Sequence, residues 1–96
     1  MEIVKDTYSI ASQLPDNEKF GFRSQITRAA VSVPSNIAEG SAKTSEKEFR
    51  MFLEIALGSL FELETQLLLV DELKLTNSDI KELLSKINEE QKMLNS

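Results

Sequence analysis

The stretch RAAVSVPSNIAEGS, residues 28–41, decides how the chain is read. Ala29, Ala30, Val33 and Ile37 recur at helical spacing, and with Phe22 and Ile26 upstream they fall on one stripe at ~100° per residue. Pro34 interrupts that stripe, and Asn36, Glu39 and Gly40 follow it closely. A proline in a helix removes one amide donor, here the one that would reach the Ala30 carbonyl, and biases Val33 away from helical angles. The segment is therefore either a catalytic loop or a kinked helix closed at Gly40 by a C-terminal cap.

A catalytic loop would require reactive partners. The 96 residues contain neither cysteine nor histidine. That excludes disulfides, thiolate nucleophiles, Cys/His zinc sites and imidazole acid–base chemistry. Ser32 and Ser35 have no evident base, and the three glycines stand apart at 21, 40 and 58, so no phosphate loop exists. The kinked, capped helix end is the better reading. No cofactor or metal is expected, because a dinuclear carboxylate site in a helix bundle would need Glu-x-x-His pairs. A metal-assisted nuclease using Glu39 or Glu64 is a remote alternative, since two-metal catalysis needs a ligand cluster.

Outward from this segment the helical pattern continues. Ile3, Val4, Tyr8, Ala11 and Leu14 predict a first helix over about 2–13 with Tyr8 facing inward; Pro15 and Asp16 then mark a turn and a new start. Ser45 with Glu48 three residues later has the pattern of a capping box. It opens a third helix running to about Leu73. Thr76, Asn77 and Ser78 are candidate caps for a fourth, whose stripe is Ile80, Leu83, Leu84, Ile87 and Leu94. No segment alternates as a half-buried strand would. One all-α domain over 1–96 is expected, an antiparallel up-down-up-down four-helix bundle.

The third helix has more apolar surface than one bundle needs. Phe49, Phe52, Leu53, Ala56, Leu57, Leu60, Leu63, Leu67 and Val70 form its inward face. Met51, Ile55, Gly58 and Leu69 lie opposite, with Phe61 at the flank. A helix apolar on both sides wants a second partner, so these five residues are the candidate interface of a homo-oligomer. Gly58 in mid-helix costs ~1 kcal/mol relative to alanine, a cost usually explained by close approach of another helix. Glu64 falls among Leu60, Leu63, Leu67 and Leu68. Buried there, it must be neutralised, hydrogen-bonded or paired, and Arg23 and Arg28 are the candidate partners for pairing.

Charge bears on partners and location. The chain carries net −5, against a simple nucleic-acid binder, yet residues 19–50 hold six basic residues and three acidic ones. Arg23, Arg28, Lys43, Lys47 and Arg50 are the candidate phosphate contacts for RNA or DNA. Arg28, Ser32, Ser35 and Glu39 form a stripe opposite the core face of the second helix, read as a solvated or interface surface with Pro34 and Asn36 as structural elements. The apolar region 49–70 is interrupted by Arg50, Glu54, Glu62 and Glu64, so no membrane association is expected. With no secretory signal in MEIVKDTYSI, a cytoplasmic location is expected.

SQITRAAVSVPSNIAEGS (24–41) and KEFRMFLEIALGSLFELETQL (47–67) together resemble the bacterial 23S ribosomal RNA intervening-sequence proteins. That resemblance implies an antiparallel four-helix bundle assembled as a homopentamer with a central channel, of largely undefined role and often encoded within insertions in ribosomal RNA genes. It also implies kinship with the accessory variability determinant of diversity-generating retroelements, a basic pentamer thought to bind nucleic acid and a reverse transcriptase. Residues and resemblance together point to a non-enzymatic homo-oligomeric scaffold that binds a protein or RNA partner.

Overall fold

The computed structural model describes residues 1–18 and 21–95, with only the backbone at Glu18. Among the described residues there are four α-helices and no strand: α1 (Glu2–Ala11), α2 (Phe22–Ser41), α3 (Glu46–Glu72) and α4 (Lys81–Asn95). A single 3-10 turn, Asp16–Glu18, stands where a new helix start was expected. Each helix packs on the next in sequence, and α4 closes back on α1. The molecule measures 43 × 24 × 18 Å. Its long dimension is that of α3, whose 27 residues span ~40 Å at 1.5 Å each.

Ile26, Ala30, Val33, Leu60, Leu63, Leu67, Val70 and Ile87 are the centre of the core, all fully buried. The stripe expected for α2 is therefore correct, with Phe22 and Ile37 packed at its edges. In α1 the inward set is Ile3, Thr7, Ile10 and Ala11, and Tyr8 is 52% exposed, contrary to expectation. Thr7 can occupy the interior because its hydroxyl donates to the Ile3 carbonyl at 2.7 Å.

The ends of the helices show which local signals hold. The Ser45 side chain accepts from the Glu48 amide at 3.3 Å, so the expected start of α3 stands. Thr76 instead shapes the turn before α4, accepting from the Ser78 amide, and Asp79 Oδ1 takes the Lys81 amide at 2.9 Å. At the end of α3, Leu75 donates to Val70 O and Lys74 to Asp71 O, both at 3.0 Å. These are the two bonds of a Schellman motif. Its left-handed position is Lys74, at φ 56°.

Pro34 lies well inside α2, and the helix continues through it to Ser41. The helix end expected at about Ser41 therefore stands, but Gly40 is not its cap, since the capping position is Ala42. Gly40 is helical and buried because α3 approaches it closely. A Cβ there would stand 2.8 Å from Cβ of Phe52, an atom fixed to backbone. Gly58, where a close approach was expected, is the opposite case: nothing lies within 4 Å of its Cβ position.

Two helical glycines should therefore respond with opposite signs in dilute solution, read by chemical denaturation. Gly40→Ala should cost ~1–3 kcal/mol by forcing α2 from α3. Gly58→Ala should gain ~0.5–1 kcal/mol through helix propensity alone.

Candidate functional site

The most extensive helix contact is between α2 and α3. Its polar part is a line of side chains along the seam. Ser32 Oγ and Ser59 Oγ are 2.8 Å apart, and Asn36 Nδ2 donates to the Ser32 carbonyl at 2.7 Å and to its hydroxyl at 2.9 Å. Ser59 also donates to the Ile55 carbonyl at 3.1 Å. Farther along, Gln66 Nε2 donates to Glu62 Oε1 at 3.2 Å and reaches Gln25 Oε1 at 3.4 Å. Small hydroxyls let the helices approach while Ser32, Asn36 and Ser59 bond to one another or to backbone carbonyls. Asn36 thus serves its own helix, and Ser32 bridges to α3. Ser35 and Glu39 remain exposed, and Pro34 is half-buried.

Beside this seam is the outward face of α3. Met51 (49% exposed), Ile55 (45%), Phe61 (50%) and Leu69 (41%) are all open, as is Gly58. The five residues singled out from sequence do share an uncovered surface. Leu68 and Leu73 extend it, at 49% and 57% exposed. Phe49, assigned to the inward face from its spacing, is 37% exposed, and Phe52, Leu53 and Leu57 are only half-buried. Helix lengths explain this. The ten residues of α1 and fifteen of α4 span ~15 and ~22 Å, too little to flank all of α3. α2 reaches the first half of α3, with Gly40 against Phe52 and Ser32 against Ser59. Helical periodicity names the face that points toward a neighbour but does not say whether the neighbour is long enough.

Of the candidate phosphate contacts, Lys47 and Arg50 line one depression at the start of α3, while Arg23 is held at the end of α1. Arg23 Nε donates to the Ala11 carbonyl at 3.0 Å and its Nη2 to the Leu14 carbonyl, with Asp16 at 3.8 Å. It closes the end of α1 and is committed to the fold. Arg50 pairs with Glu46 at 3.1 Å, one turn away. Lys43 Nζ stands 5.4 Å from the centre of the Phe52 ring. Lys47 and Arg28 are exposed. Around the start of α3, Lys47 and Arg50 share their depression with Glu46, Glu48 and Glu54, so the local field is mixed in sign.

Of the outcomes open to Glu64, the structure shows hydrogen bonding and not pairing with an arginine. Glu64 is half-buried, and its partner is Gln91 of α4, whose Nε2 donates to Oε1 at 3.1 Å. Neither Arg23 nor Arg28 pairs with it. The α4 amide was available because Gln91 itself faces inward, at 8% exposed. Sequence spacing within α3 could not reveal which helix would lie beside Glu64.

On the other side of the molecule, Lys86 of α4 binds Asp6 of α1 at 2.7 Å, with Glu2 and Glu82 each at 3.8 Å. The Asp6 hydrogen bond raises the Lys86 pKa above 10.5, against a smaller lowering by desolvation. A raised pKa means the clasp stabilises fully below the unfolded value and fades as pH climbs through the folded one. The α1–α4 contact is therefore intact at neutral pH and weakens above about 10.5. Among the described residues no group of three or more His, Cys, Asp or Glu gathers as metal ligands would, and no helix is long and apolar enough to cross a membrane.

Arg23→Ala should lower stability by ~1.5–3 kcal/mol, since two carbonyls lose a charged donor. Arg23→Lys should recover little of that, because an ammonium cannot reproduce the two-pronged fork. Thermal unfolding followed by circular dichroism distinguishes the two.

A family model described as 23S rRNA-intervening sequence protein matches residues 1–96, the whole chain. No curated protein matches it significantly.

Proposed function

The chain belongs to the 23S rRNA-intervening sequence protein family, and on that premise we propose that it is a non-enzymatic homo-oligomeric helical scaffold built from antiparallel bundles. The observation that carries this reading is the outward face of α3, where Met51, Ile55, Phe61, Leu69 and Leu73 are each at least 41% exposed on one helix. An apolar strip of this extent, broken by Glu62, is rarely left uncovered, and a second copy of the chain is the partner always at hand. For α2 and α3 the antiparallel sense is supported by the seam itself. Gln25 meets Gln66, Ser32 meets Ser59 and Gly40 meets Phe52, so numbers rise along one helix as they fall along the other. A pentameric ring is the stoichiometry that the family resemblance implies.

A small core supports the same reading. A chain of this size buries a modest fraction of its surface and gains from burying more by association. Multi-angle light scattering at micromolar concentration should give one species of several subunits. Ile55→Glu and Leu69→Glu, at exposed positions, should shift it toward the 10.8 kDa chain while helical circular dichroism is kept. A wild-type monomer would overturn the reading.

Binding of RNA or DNA is a second role, favoured by the six basic residues against three acidic over 19–50. Arg28, Lys43 and Lys47 are its cations, since Arg23 and Arg50 have other partners. Neutralising all three should abolish binding at low salt, and wild-type affinity should fall with log salt at a slope of roughly −2 to −3. Fluorescence anisotropy with an RNA and a DNA panel measures both; a flat panel removes this role.

A further inference from the structure

The strip proposed for self-association contains a charge. Glu62 lies seven residues from Ile55 and from Leu69, and four from Gly58, so it shares their outward side of α3. Any copy docked on that side covers its carboxylate. A covered carboxylate without a cation is strongly disfavoured. Within its own chain Glu62 receives only the Gln66 amide at 3.2 Å, and among the described residues it makes no ion pair.

The polar inventory around it is also short of donors. Gln66 Nε2 is divided between Glu62 and Gln25 at 3.2 and 3.4 Å, both long. Gln66 is itself 9% exposed, and its Oε1 is buried with no hydrogen-bond partner. This end of the seam would gain from an arriving group with several N–H donors and a positive charge. Were such a group to take over Glu62, the Gln66 amide would be released to the remaining acceptor.

Arg28 has that chemistry. It stands on α2 at the rim of the depression that Glu62, Ser32 and Ser59 also line, a space of about 350 Å³. It is exposed and makes no ion pair among the described residues, whereas Arg23, Arg50 and Lys86 are all engaged. A guanidinium supplies five donors in a planar fork suited to a carboxylate.

We infer that Arg28 of one copy pairs with Glu62 of the next when the α3 faces are covered, fixing the register of a self-interface that apolar contact alone would leave free to slide. The inference rests on the self-association reading above. It assigns the polar key of that interface and the charge complementarity by which a second copy is recognised.

Charge reversal tests it. Arg28→Glu and Glu62→Arg are both at exposed positions and should keep the helical spectrum of the wild type. Each alone should raise the concentration at which assembly is half complete by at least tenfold in light scattering. Mixing the two variants should restore association between unlike copies, because each supplies the charge the other lacks, while an odd-numbered ring keeps one mismatched interface; light scattering then shows mixed species larger than either variant alone. Glu62→Gln keeps the amide contact and should weaken assembly less while reducing its dependence on salt.

If the mixture stays dissociated while the double variant Arg28→Glu/Glu62→Arg assembles, the pair forms within one chain and the inference is overturned. If the wild type assembles and neither reversal disturbs it, the pair is absent and the inference fails with self-association intact. If reversal abolishes the helical spectrum, the two side chains belong to the fold, which also overturns it. A wild type monomeric at every concentration removes the self-association reading itself.

Discussion

The seam between α2 and α3 is the contact on which the other packing depends. Its closest point is Gly40 against Phe52, where even one methyl group would meet backbone-anchored carbon at 2.8 Å. Ser32 and Ser59 continue the approach, each small enough to bring the helices together and polar enough to bond across the gap at 2.8 Å. Farther on, Ile26, Ala30 and Val33 meet Leu60, Leu63 and Leu67 in a fully dry core. Pro34 is compatible with this seam because α2 is held by a partner along its length; isolated helices tolerate interior proline poorly. The shorter helices then complete the core from one end. Arg23 ties α2 to the last carbonyls of α1, and Lys86 ties α4 to Asp6.

Unequal helix length gives the molecule its asymmetry. Where all four helices overlap, buried side chains from each meet around Leu63 and Ile87. Beyond the reach of α1 and α4, α2 and α3 continue as a pair, and Phe49, Phe52, Leu53 and Leu57 are left open or half-covered. Two helices cannot enclose a core of their own; each can cover only one side of the other. The surplus apolar surface of α3 thus has two sources, an outward stripe that faces no helix of the chain and an inward stripe that outruns its neighbours.

Much of this could be read from residue order, and the limits have physical causes. The α2 stripe, the Ser45 start and the end of α3 near Leu73 follow from short-range rules, and the structure agrees with them. Glycine misled in both helices. Gly40 was read as the cap of α2, which does end beside it at Ser41, yet no described glycine has positive φ, and the left-handed residue that closes α3 is Lys74. Gly58 suggested a close approach and Gly40 has it instead. Glycine marks missing volume or an unusual torsion, and only the fold says which. Tyr8 and Thr7 exchanged places because a threonine bonded to its own helix is less costly to bury than periodicity assumes. The partners of Glu64 and Arg23 were not legible because both bonds cross between helices, where spacing along the chain has no bearing. The outward candidates Met51, Ile55, Phe61 and Leu69 were legible because exposure there needs only the helical period.

Charge links fold and surface. Of the five candidate phosphate contacts within 19–50, Arg23 and Arg50 have partners in the chain and Lys43 sits over an aromatic ring. A positive balance along the sequence is therefore not a positive field in space. An arginine that satisfies two helix-end carbonyls contributes to folding what it no longer offers to phosphate. Glu62 presents the converse case, a carboxylate that receives an amide and makes no ion pair among the described residues, on a helix face with exposed Ile55 and Leu69. In water such a charge keeps its hydration and the face stays soluble; under a docked partner it would have to be matched. The same residue thus opposes indiscriminate sticking of the α3 face and sets a condition that a correct partner must meet, which is how a single charge in an apolar surface confers specificity.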